Sequence, residues 1–247
     1  MRRWSMAARA MAGVLSLGLS ASVDAASLQV SPTSVTLQAR QNADGLTLTN
    51  TGSTPLHAQV RVFRWTQRGG EENLEATRDL TISPPMLELA PGAQQLVRVI
   101  RLGPPPVDVE TSYRLIVDEL PVANVGETKP GLQFVLRYSV PVFLMPQEGA
   151  VAIAPALRTR LVREGDRSFI EIDNAGKHHA QVAELGYVAA NGERHPIAAG
   201  LSGYVLPGNT RRWPLPATFV VSTSGTFKAR INGEAVEQSL ALDPAAP

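Results

Sequence analysis

The chain has no cysteine and only four histidines, His57, His178, His179 and His195. Disulfide bracing, cysteine-ligated zinc and thiol chemistry are therefore excluded. His178 and His179 are adjacent, so in a strand they would face opposite ways and could not chelate together, although a loop geometry could rescue the pair. Aromatic residues make up only 5% of the chain, so the core must be largely aliphatic. Neither sign of charge dominates, with 23 Lys and Arg against 22 Asp and Glu. That balance argues against nucleic acid or an anionic membrane as a partner. Also lacking are a nucleophile-elbow glycine–serine pattern and a phosphate-cradling glycine loop. Asp118 and Glu119 would diverge in a strand, and they read as solvent contacts with a strand-end hydrogen bond before Pro121. No enzymatic activity, cofactor or metal is expected.

Long apolar runs are missing too. Residues 1–25 resemble a secretory signal: Arg2, Arg3 and Arg9 precede an apolar stretch over 11–19 and the small-residue site Val23-Asp24-Ala25. The stretch is too short to span a bilayer, and no stable membrane anchor is expected. Removing it leaves 20 basic and 21 acidic residues, a net charge of −1. The remaining 222 residues suffice for two domains of about 100 residues each.

What the chain does have is short-range alternation. Apolar residues alternate over short runs separated by Pro, Gly, Asn or Ser, and no helical period stands out beyond the signal. Strands are expected at 27–38 (broken at Ser31-Pro32), 45–50, 56–65, 86–89, 94–102, 113–121 and 132–145, with 67–78 a loop or hairpin tip. Apolar residues change face near Val62, which suggests a bulge or bend. After a link at 145–149 the pattern restarts, with short strands at 150–161, 168–174, 180–188, 193–198, 204–206, 211–215, 218–221 and 226–231. Seven or so short strands per 100 residues, twice over, predict an all-β chain of two immunoglobulin-like β-sandwich domains.

The most informative run is 132–145. Leu132, Phe134, Leu136, Tyr138 and Val140 alternate over five positions, longer than most strands. Pro141 cannot donate to a ladder, so an open edge is expected there. A long apolar strand with an open edge is an aggregation hazard unless exposing it is its purpose. It reads as a strand kept available for another protein. Arg98, Arg101, Arg114 and Arg137 sit inside apolar runs, where the plain reading is a snorkelling side chain. Antiparallel pairing of 113–121 with 132–145 would place Arg114 roughly opposite Tyr138, on the face of Phe134 and Leu136. A guanidinium there could hold a carboxylate, such as a polypeptide C-terminus, bidentately.

These residues resemble the PapD-like periplasmic chaperones of the chaperone–usher pilus pathway. The resemblance spans most of the chain after the signal. It runs through Ser31-Pro32-Thr33, Asn50-Thr51-Gly52, Pro84-Pro85, Leu89-Ala90-Pro91-Gly92, Thr111-Ser112-Tyr113-Arg114 and Asp118-Glu119-Leu120-Pro121. In the second half it includes Ile172-Asp173-Asn174-Ala175-Gly176 and Leu206-Pro207-Gly208. The sequence Arg137-Tyr138-Ser139-Val140-Pro141 resembles the archaic branch, associated with spore-coat-like pilins.

The resemblance implies two sandwiches set as an L, with the domains at 26–146 and 147–247. It also implies a periplasmic protein that binds pilin subunits and passes them to an outer-membrane usher. The last strand of the first domain, carrying Leu132, Phe134, Leu136, Tyr138 and Val140, would complete the pilin's sandwich; donor-strand complementation by pilus chaperones is a known form of β-augmentation. Ser34 and Pro141 stand where basic residues usually anchor the pilin's C-terminal carboxylate. Arg114 is the first candidate to replace them, followed by Arg101 and Arg137. Glu110 matches one member of the family's interdomain salt bridge, but Met145 and Gly233 stand where its partners would be. A client-free structural or adhesive immunoglobulin-like protein is the alternative, and without a client the exposed strand could self-associate.

Overall fold

The computed structural model describes residues 28–121, 135–147, 155–216 and 225–243, and these contain strands and no helix. The first half holds β1 (Leu28–Ser31), β2 (Val35–Leu37), β3 (Ala43–Asn50), β4 (Leu56–Arg68), β5 (Glu71–Ala76), β6 (Leu80–Ser83), β7 (Met86–Leu89), β8 (Gln94–Arg101), β9 (Thr111–Leu120) and β10 (Arg137–Leu144). One sheet has the order β1-β3-β8-β6, and the other β2-β10-β9-β4-β5 with β7 added against β4. Alternation supplies the core between them. Leu46 and Leu48 on β3, Val97 and Val99 on β8, Val60 on β4, and Leu115 and Val117 on β9 all point inward and are buried.

The second half holds β11 (Leu157–Glu164), β12 (Arg167–Asn174), β13 (Ala180–Val188), β14 (Arg194–Val205), β15 (Asn209–Pro214), β16 (Thr226–Ile231) and β17 (Gln238–Leu240). Its sheets, β11-β12-β15 and β14-β13-β16-β17, enclose a second core that includes Ile170, Ile172, Val182, Tyr187 and Phe227. The expected two-sandwich, all-β architecture is what folds. One corner recurs in both halves. The fully buried Asn50 donates to Thr54 O and Leu89 O and accepts from Gly52 N–H. Asn174 does the same with His178 O, Val205 O and Gly176 N–H. Each side-chain amide satisfies buried backbone groups where the chain leaves its strand.

Several boundaries differ from the expectation. The runs 193–198 and 204–206 belong to one strand, β14, because β-bulges around Val182–Gly186 of β13 absorb its irregular middle. The strand expected from 150 begins at Leu157, while 218–221 lies outside the described residues. Residues 71–76 form the return strand of a hairpin with β4. The bulge expected near Val62 does not occur, and β4 keeps one continuous register with β9. Trp65 takes the outer face because the second domain covers it there, and Phe63, two residues before it on the same face, is only partly buried and lies under Arg61.

Candidate functional site

The outer face of the six-stranded sheet meets the second domain through a small apolar cluster of Trp65, Phe143, Tyr204 and Leu206. Trp65 lies edge-on to Tyr204 at 5.4 Å between centroids. Polar contacts flank this cluster. Gln67 Nε2 donates to Tyr204 O at 2.8 Å, and its Oε1 accepts from Leu206 N–H at 2.9 Å, so one side chain completes two backbone groups across the junction. Glu110, whose side chain is buried, lies 2.9 Å from His179 Nδ1, with His178 Nδ1 3.7 Å away. The His179 ring also stacks on Phe143 at 3.6 Å.

The two histidines therefore reach one carboxylate. They precede β13 rather than lying within it, so the strand rule of opposite faces does not apply. Glu110 does take an interdomain partner, supplied from a position the family pattern did not indicate. No group of side chains able to hold a metal ion occurs among the described residues.

Arg114 sits beside this cluster, on β9. Its guanidinium lies over the Trp65 ring at 3.7 Å and 5.4 Å from the Tyr204 ring centroid. Its side chain is 10% exposed, and Nη2 is 3.6 Å from Glu72 Oε2. Arg211 of the second domain binds the other oxygen of the same carboxylate, Nη1 to Oε1, at 2.7 Å. Burial pushes the Arg114 pKa below its ordinary value; the Glu72 carboxylate and Tyr204 oppose that shift and Arg211 adds to it. The cleft thus presents two guanidinium groups, one per domain, to a single carboxylate. The Nε atoms of Arg114 and Arg211 are buried without a hydrogen-bond partner among the described residues.

The register of β10 corrects the expected placement of Arg114. Arg114 pairs with Pro141, and Tyr138 pairs with Val117. The displacement from the expected pairing is three residues, and an odd displacement exchanges the faces of a strand. Burial fixes the register, because it turns Val140 and Val142 inward beside Leu115 and Tyr113. Arg114 therefore lies on the face opposite to Leu136 and Tyr138, toward the second domain.

The two edges of β10 differ along its length. One is paired to β9 throughout, whereas the other meets β2, in parallel, only at Val142–Leu144. Among the described residues no strand covers that second edge over 137–141. Glu119 N–H donates to Leu136 O, so by alternation residues 136, 138 and 140 turn their backbone groups to β9. Residues 137, 139 and 141 turn theirs to the uncovered edge, where Pro141 has no N–H to offer.

Leu136 and Tyr138 are half-buried and pack on the first core from its rim, and Tyr138 Oη donates to Leu28 O at 2.5 Å. Val140 is only 4% exposed and belongs to the domain's own core. Leu132 and Phe134 lie outside the described residues.

The other candidate cations stand apart from Arg114. Arg101 is on β8 in the other sheet, where Nη2 donates to Ala39 O and Asn42 Oδ1. Arg137 shares Arg114's face but lies four residues along β10 from its partner Pro141, about 13 Å away. It pairs with Asp118, which also receives Arg61 Nη2 at 2.6 Å. Asp118 is thus a buried, doubly paired carboxylate rather than the solvent contact expected. Trp65, Gln67, Glu72, Tyr204 and Arg211 were not anticipated at this site. The apolar pair Phe63 and Trp65 on the wrong face was the one sequence signal for the cleft, and nothing local marked Glu72 or Arg211.

A model of the N-terminal domain of pili and flagellar-assembly chaperones, named for PapD, matches residues 27–150. The chain belongs to this family. Solved structures with the same fold include a chain of the CsuC–CsuE chaperone–tip adhesion subunit pre-assembly complex from archaic chaperone–usher Csu pili of Acinetobacter baumannii. That chain is 24% identical with a TM-score of 0.69, and the alignment covers 87% of this chain and 97% of that one. The Pseudomonas aeruginosa CupB2 chaperone is 15% identical with a TM-score of 0.59 over 85% and 97%. A structure of Salmonella enterica SafA pilin with the SafB chaperone gives 18%, 0.62, 87% and 96%. A search of curated protein sequences returned no match. The family is one of chaperones, and β10 is the last strand among the described residues of the matched segment.

Proposed function

We propose that this PapD-like protein is a periplasmic holdase for pilin subunits, acting by strand donation from β10 and delivering its cargo to an outer-membrane usher. The observation that carries this reading is the uncovered backbone edge at 137–141, ending beside a buried guanidinium at Arg114. A client whose terminal carboxylate sat at Arg114 and whose chain ran back toward Arg137 would pair parallel with β10. It would continue the line of β2, which already pairs in that sense. Backbone bonds from 137 and 139 would supply generic affinity, and the apolar row would fill a groove in the client. Of that row, Leu132, Phe134, Leu136 and Tyr138 are assigned to the client, whereas Val140 serves the chaperone's own core. Each large apolar side chain buried contributes roughly 1.5–3 kcal/mol before association costs.

Arg114 is the preferred carboxylate anchor, since Arg101 is turned into the other sheet and Arg137 is engaged by Asp118. The domain limits 26–146 and 147–247, and membership of the archaic branch on the strength of the Arg137–Pro141 sequence, belong to the same proposal. The test is co-expression with a pilin subunit from the same organism. Wild type should recover a soluble 1:1 periplasmic complex, and a folded Phe134→Asp, Leu136→Asp variant should not. Equal recovery by both would refute strand donation. A wild-type chain that binds no subunit and forms stable dimers or filaments would instead identify a client-free structural protein.

A further inference from the structure

We propose that Glu72 is a resident competitor for the client carboxylate, occupying Arg114 until a client displaces it. The proposal rests on the reading of Arg114 as the anchor. Glu72 lies on β5 near the turn of the β4–β5 hairpin, whose Gly70 bridges to Arg211 of the second domain. Its two carboxylate oxygens are held unequally. Oε1 accepts a 2.7 Å hydrogen bond from Arg211, whereas Oε2 stands 3.6 Å from Arg114, beyond good hydrogen-bonding distance. The contact with Arg114 is therefore the weaker one, and it can be given up while the contact with Arg211 remains.

A buried guanidinium without a counter-charge is costly, so the empty chaperone needs a carboxylate here. Glu72 supplies it from a side chain that is 34% exposed and can move outward. The unpartnered Nε of Arg114 leaves a donor for an incoming carboxylate, which can bind bidentately through Nε and one Nη. With the client seated, Glu72 stays on Arg211 and each guanidinium has its own anion. A stray carboxylate that forms no strand pairing gains too little to take Arg114 from Glu72. The arrangement therefore selects a C-terminus that arrives at the end of a β-strand.

The test uses an N-acetylated nine-residue peptide of alternating Val and Thr with a free C-terminal carboxylate, together with its C-terminal amide. Binding is followed by titration and by the Nε–H resonance of Arg114. Wild type should prefer the acid and shift that resonance. Glu72→Gln keeps the side chain's shape and its contact with Arg211, and should bind the acid about fivefold more tightly with the amide unchanged. Glu72→Asp keeps the charge but shortens the reach to Arg114, and should also gain affinity for the acid. Glu75→Gln removes an equal charge from the same hairpin at a carboxylate paired to Arg68, and should change nothing. If both Glu72 variants bind the acid no better than wild type, the competitor role is overturned while the anchor stands. If wild type binds acid and amide equally and the resonance does not move, the Arg114 anchor fails and this inference fails with it.

Discussion

The two segments of β10 sit in opposite situations, and their side chains differ accordingly: 137–141 reads Arg-Tyr-Ser-Val-Pro and 142–144 reads Val-Phe-Leu. Residues 142–144 are paired on both sides and buried, with Val142 and Leu144 in the sandwich core and Phe143 in the cluster that joins the domains. Among the described residues, 137–141 are paired on one side only, and the apolar side chains next to their open edge, Leu136 and Tyr138, rest on the rim of the core. The point at which β2 stops fixes the difference in pairing: a three-residue partner strand covers the end of β10 that packs against the second domain and leaves 137–141 without a second neighbour among the described residues. On the proposed reading, stability and recognition fall on different residues of one strand.

Truncation in the closed half and just before the open half gives the largest expected contrast. Phe143→Ala should cost about 3 kcal/mol of unfolding free energy, because it empties the interdomain cluster and removes the surface on which His179 stacks. Leu136→Ala, at a half-buried rim position, should cost less than about 1.5 kcal/mol, and its main effect should be on client recovery. Paired denaturant titrations measure both. Equal losses would mean that the two halves are not energetically distinct.

A smaller effect is expected within the open half. Tyr138 is assigned to the donor row, yet its hydroxyl is held by Leu28 O on β1. Tyr138→Phe should lower stability by about 1 kcal/mol and leave the apolar surface offered to a client almost unchanged. A loss of client binding with no change in stability would show that the hydroxyl serves the guest rather than the rim.

The alternation of Leu46, Leu48, Val97 and Val99 made the sandwiches legible in the sequence, since a period of two with one buried face has few other solutions. The open edge expected at Pro141 was legible for a related reason: proline cannot donate to a ladder, and among the described residues 137–141 has no second partner strand. Features set by the partner domain were not legible. Trp65 looked like part of a change of face because the surface covering it lies about 140 residues later, at Tyr204. The pairing of Arg114 with Pro141 was missed because local pattern does not fix register to within three residues, and an odd error reverses every side chain. His178 and His179 were judged by strand geometry, but they stand before the strand and both reach Glu110. Glu72 and Arg211 were invisible because an ion pair between distant surface segments leaves no local periodicity.

The smallest predicted effect concerns Asp118, which fixes the outer face near the open half of β10. Burial pushes its pKa up, but the bonds from Arg137 and Arg61 outweigh this and hold it below the ordinary carboxylate range. A carboxylate whose folded pKa is depressed stabilises the fold above its unfolded value of about 3.9 and loses that contribution as pH falls through the folded value. Both arginine partners are well exposed, so solvent screening keeps the gain to about 1 kcal/mol or less. The difference in melting temperature between wild type and Asp118→Asn should therefore be constant from about pH 5 to pH 8 and shrink below about pH 4. Client recovery by the variant should fall only slightly, because the backbone groups on the open edge are untouched. A stability difference that instead changed between pH 6 and 7 would overturn Asp118 as the titrating group.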